Sequence, residues 1–115
     1  MRQPGSEAAY NHIRGHHDCS KTTGLYHDDG SAYWTDHHNV IQLLVGPTPC
    51  AASFWANMWT PYIHDCHLMH NFADNNVSGN AGTDCSITDT TIMKDGAVPA
   101  EAQAIIAAAG PRGLR

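Results

Sequence analysis

Three short segments of this sequence echo one another, and that echo restricts the fold more than any other feature. Tyr33-Trp34-Thr35-Asp36-His37-His38 can be laid over Tyr62-Ile63-His64-Asp65-Cys66-His67, and the latter over Gly82-Thr83-Asp84-Cys85-Ser86-Ile87. Asp36, Asp65 and Asp84 then fall in register. Repeats of about 20 to 30 residues, each carrying short β segments, point to a stacked solenoid. Equivalent positions of neighbouring coils then lie about 4.8 Å apart. Residues distant along the chain become neighbours in space, and Cys66 stacks on Cys85. A disulfide between them and a pair of stacked thiols both remain open, the expected Cα distance lying at the low end of what a bridge accepts.

The remaining segments fit around that pattern. Residues 1–15 read as an entry segment, 16–96 as the β coils, and 97–115 as a capping helix and tail, all in one domain. Asp28-Asp29-Gly30 reads as a turn that holds two acids toward solvent. Aromatic and β-branched residues follow it, in Ala32-Tyr33-Trp34-Thr35 and in Asn39-Val40-Ile41-Gln42-Leu43-Leu44-Val45, as strands require. Gly46-Pro47-Thr48-Pro49 breaks any regular element. Pro99-Ala100-Glu101-Ala102-Gln103-Ala104-Ile105-Ile106-Ala107-Ala108-Ala109 reads as a helix: Pro stands in its first turn, Glu101 faces the positive end of the dipole, and Gly110-Pro111 stops it. Its Ile105 and Ile106 side should dock on the final coil and cover the open end of the stack. The expected fold is therefore mainly β.

Charge narrows the partners. The formal net charge is −5, and the six basic residues are scattered. A nucleic-acid binder needs clustered Lys and Arg to displace counterions. No apolar run reaches membrane-spanning length, and the first residues lack the apolar core of a signal peptide. An uncharged polysaccharide or oligosaccharide suits such a surface better. The four cysteines contain no Cys-x-x-Cys spacing, so neither a zinc ribbon nor a thioredoxin-like site is indicated. Nine histidines are the compositional outlier, and histidine is the commonest protein metal ligand.

From about Asn11 to Arg112 the chain resembles the C-terminal part of secreted right-handed parallel β-helix proteins, a group that includes glycoside hydrolases and polysaccharide lyases. The residues that carry the resemblance are Gly24-Leu25-Tyr26-His27-Asp28-Asp29-Gly30-Ser31, Met58-Trp59-Thr60-Pro61-Tyr62-Ile63-His64-Asp65, and the helical stretch from Pro99 to Pro111. The resemblance implies a right-handed parallel β-helix, truncated or miniature here, an extracellular setting and sugar substrates. Proteins of the group are several times longer, and the resemblance does not explain the density of His and Cys.

Three sets of residues are candidates for chemistry. Asp28 or Asp29, together with Asp36 or Asp65 from another coil, would supply the two carboxyls that glycosidic hydrolysis needs. Tyr26, Trp34, Trp59 and Tyr62 would stack on sugar rings. Few Lys and Arg residues are available to neutralise a uronate, which favours hydrolysis over lyase chemistry. His37, His38, His64 and His67, with His27 and His70 nearby, are candidate ligands for zinc or copper, and stacking is expected to bring His38 near His67. The aspartate ladder is a candidate for calcium. Hydrolysis itself needs no cofactor. Three functions follow as expectations: polysaccharide hydrolysis; a small His-rich metal-binding protein, redox-active on such substrates; or a non-catalytic carbohydrate-binding or structural piece, able to oligomerise through an uncapped end.

Overall fold

The computed structural model describes residues 5–14, 24–27, 30–44, 54–55, 62–74, 77–78 and 82–111. Asp28, Asp29 and Trp59 lie outside these residues. Among the described residues the regular structure is ten short strands and one helix: β1 (Ser6–Ala9), β2 (His12–Arg14), β3 (Trp34–His37), β4 (Val40–Gln42), β5 (Phe54–Trp55), β6 (His67–Met69), β7 (Phe72–Ala73), β8 (Val77–Ser78), β9 (Ser86–Thr88), β10 (Thr91–Ile92) and α1 (Ala100–Ala108). One sheet has the order β1-β3-β6-β9, a second has β2-β4-β7-β10, and β5 pairs with β8. All these strand pairs are parallel. The protein is thus mostly β, with stacked parallel sheets and one C-terminal helix, an architecture compatible with a β-helix.

Each coil turns from the first sheet into the second through the same two-residue corner: Tyr10-Asn11, His38-Asn39, His70-Asn71 and Asp89-Thr90. The first residue of every corner has a positive φ, between 51° and 58°. His and Asp are among the side chains that enter this left-handed region most readily. The asparagines make the corner repeatable. Asn39 Oδ1 accepts from the backbone N–H of Asn11 at 3.1 Å and from its side-chain amide at 2.9 Å. One coil on, Asn71 Oδ1 accepts from the same two groups of Asn39, each at 3.0 Å. Asn71 Nδ2 in turn donates to the carbonyl of Asp36. The ladder thus satisfies backbone groups that a buried turn would otherwise leave unpaired.

A second set of positive-φ residues, Tyr33, Asp65 and Asp84, precedes β3, β6 and β9. Here the register corrects the sequence reading. Thr35 pairs with His67 and His67 with Ser86, so the first of these coils is longer than the second. Asp65 and Asp84 do stack, but the residue above them is Tyr33. Asp36 sits in register with Leu68 and Ile87. The loops between coils differ in length, so matching aspartates put Asp36 where Tyr33 belongs.

Strand alternation separates two apolar clusters. Ile41, Leu43, Ile63, Cys66, Leu68 and Ala73 form the core enclosed by the coils, with Trp34, Cys85 and Ile87 packed against it. Burying an Ile or Leu there contributes about 1.5–3 kcal/mol each. Val40 and Phe72, paired in register on β4 and β7, point the other way. They form a second cluster with Met93 and with Ala102 and Ile105 of α1. The helix therefore lies across the outer face of the second sheet, spanning successive coils. The helix shares this cluster with Met93 of the last coil, where docking was expected, and also with Val40 and Phe72 of the two coils before it. Among the described residues no helix is long and apolar enough to cross a membrane.

Candidate metal centre

Because corner residues repeat in register, their side chains form a column on the surface. Tyr10 stacks on His38 with ring centroids 5.0 Å apart, and His38 lies 4.6 Å from His70. The next residue in the column is Asp89, whose Oδ2 is 2.5 Å from His70 Nδ1. Packing of α1 on the second sheet brings Glu101, in the first turn of the helix, to the same place. Its Oε1 lies 2.7 Å from His70 Nε2 and 3.9 Å from His38 Nε2. His38, His70 and Glu101 can each offer one ligand atom such that all three lie within 4.8 Å of one another. Tetrahedral zinc bonds of about 2.0–2.2 Å require ligand atoms about 3.3 Å apart. The two observed distances bracket that value, so the three groups stand close to a zinc-binding arrangement.

The surrounding groups determine which nitrogens are available. His70 Nδ1 is held by Asp89. His38 Nδ1 is 2.7 Å from His37 Nδ1, and His37 Nε2 is 3.4 Å from Glu7. A consistent proton assignment has His38 donating from Nδ1 to His37, and His37 donating from Nε2 to Glu7. Both His38 and His70 then turn Nε2 toward Glu101. A second partner that fixes tautomer and ring orientation is what ligating histidines generally have. Asp89 and Glu101, in that order, raise the pKa of His70 above the ordinary histidine value by hydrogen bonding. A cation bound at Nε2 takes the place of that proton.

The other sequence candidates are dispersed. His64 Nδ1 is 2.8 Å from Asp65 Oδ2, and His67 Nδ1 is 2.7 Å from Ser86 Oγ. His67 is therefore not the neighbour of His38, because it stands in register with Thr35 instead. The place beside His38 belongs to His70, whose backbone carbonyl accepts from the His38 N–H at 2.9 Å. Asp36 is fully buried, its Oδ2 bonded to His27 Nε2, and its Oδ1 has no hydrogen-bond partner among the described residues. Asp36 and Asp65 occupy different positions in the coil and do not face each other as a carboxyl pair. Trp34 packs against the core. Tyr26 and Tyr62 are 50% and 72% exposed.

Glu101 and Asp89 were missed as site residues. The recurring pair of a Tyr or His before Asn, in Tyr10-Asn11, His38-Asn39 and His70-Asn71, is the signal that would have aligned the column. No family model matches the chain, and comparison with curated proteins and with solved structures finds no match either.

Proposed function

We propose that this chain is a right-handed parallel β-helix that binds one divalent transition-metal ion, zinc or copper, through His38, His70 and Glu101. The observation that carries the reading is the convergence of two Nε2 atoms on one carboxylate, with Nδ1 of each histidine already engaged. Two imidazoles and a carboxylate suit zinc or copper better than calcium, which takes oxygen ligands. Three protein ligands at a solvent-accessible position leave a fourth site for water, the arrangement of zinc centres that activate it. Isothermal titration of metal-free protein with zinc tests the reading. One equivalent is expected to bind, with affinity falling at least tenfold in His70→Ala and in Glu101→Gln. Binding that is unchanged in both variants would refute it.

A second reading, polysaccharide binding with hydrolysis by Asp28 or Asp29 in an extracellular setting, draws support from the exposure of Tyr26 and Tyr62 on stacked parallel coils. Reducing-sugar release from a polysaccharide panel, abolished by Asp28→Asn or Asp29→Asn, is its expected result. No release from any substrate would leave metal binding as the sole reading.

A further inference from the structure

A second pair of reactive groups lies away from the metal centre, inside the coils. Cys66 immediately precedes β6 and Cys85 immediately precedes β9, and the register that pairs His67 with Ser86 stacks one cysteine on the other. Their local environments repeat. Each follows an aspartate with a φ of 52°. Cys66 Sγ lies 3.5 Å from the carbonyl oxygen of His64 and 3.8 Å from that of Ser31. Cys85 Sγ lies 3.5 Å from the carbonyl oxygen of Thr83 and 3.8 Å from that of Ile63. The two thiols thus point the same way from adjacent strands, and both are free. Gly82 makes room for the second one: a Cβ at that position would stand 2.8 Å from Cys85 Sγ and 2.6 Å from the Ile63 carbonyl oxygen.

We propose that Cys66 and Cys85 are a cross-linking site at which a disulfide staples the last two coils of the first sheet. In-register parallel neighbours have Cα atoms about 4.8 Å apart, within the roughly 4.4–6.8 Å that disulfides span. The Cβ atoms must approach somewhat more closely than strand spacing alone gives. The outer position of β9, which pairs only with β6 in its sheet, allows that movement. A small-molecule disulfide is the oxidant. Cys85, the more accessible of the two, attacks as the thiolate. The oxidant's S–S bond breaks, one small thiolate leaves and takes a proton, and Cys85 carries a mixed disulfide. Cys66 then attacks Cys85 Sγ, and its proton passes to the second small thiolate as that leaves. Two protein thiols are oxidised to one cystine while one external disulfide is reduced to two thiols. Burial pushes the Cys66 thiol up to about 11, so Cys85 is the residue that opens the exchange.

Incubating the full chain with oxidised glutathione, followed by peptide mapping without reduction, tests this site. The expected product is a Cys66–Cys85 linked peptide, two hydrogens lighter than its parts, together with a thermal midpoint several degrees higher that returns on reduction. In Cys66→Ser the reaction should halt at glutathione on Cys85. A lasting glutathione adduct on Cys85 of the unmutated protein would overturn the proposal. So would pairing of either residue with Cys19 or Cys50, or survival of both thiols. Neither the reaction nor its readout involves the metal ligands.

Discussion

At the scale of single residues, the asparagine column does most to specify the fold. Asn39 bonds through its carboxamide to Asn11, Asn71 and the carbonyl of Ala8. Removing it strands the Asn11 N–H and the Ala8 carbonyl, two part-buried backbone groups of the preceding coil, each costing about 1–3 kcal/mol. Asn39→Ala is therefore expected to lower unfolding free energy by about 2–3 kcal/mol in urea. The column ends at Thr90, whose hydroxyl is buried without a hydrogen-bond partner among the described residues. Thr90→Asn would offer Asn71 the acceptor that Asn71 itself offers Asn39, with an expected gain of about 1 kcal/mol. A loss of stability in that variant would argue that the terminal corner is too tight for the amide. In the sequence these asparagines show only as a recurring Tyr-Asn or His-Asn pair. Their role depends on the positive φ of the residue before each one, and composition does not carry that information.

At the scale of elements, the helix and the aromatic and β-branched strands were legible locally. Pro99, Glu101 and Gly110 bound a short alanine-rich helix in the structure as in the sequence, with Pro99 at the N-cap and Gly110 at a φ of 95°. Where the helix docks was not legible, because so many alanines leave its apolar face poorly marked. The partners Val40 and Phe72 become a surface only when their strands pair. Ile105 is the larger of the two buried α1 residues in that contact. Ile105→Ala should cost about 2–4 kcal/mol by chemical denaturation and weaken zinc binding as well, since Glu101 reaches the corner histidines only while the helix is docked. A variant that loses stability but keeps wild-type affinity would separate the two roles.

At the scale of the whole molecule, stacking is what turns a histidine-rich composition into a site. The sequence indicated parallel coils, and short parallel strands in two main sheets form them. It also indicates histidines as ligands, but its aspartates align the coils through unequal environments: Asp36 is buried beside His27, whereas Asp65 has a positive φ ahead of β6. That displacement put His67 where His70 belongs. It also left Glu101, on a helix a full coil beyond His70, outside any local motif. X-ray absorption at the zinc edge of the loaded protein examines the assembled site most directly. Two imidazole nitrogens with oxygen neighbours at about 2.0–2.2 Å, and loss of one imidazole in His38→Ala, are the expected result. Sulfur in the coordination shell, or an identical spectrum in that variant, would contradict the account.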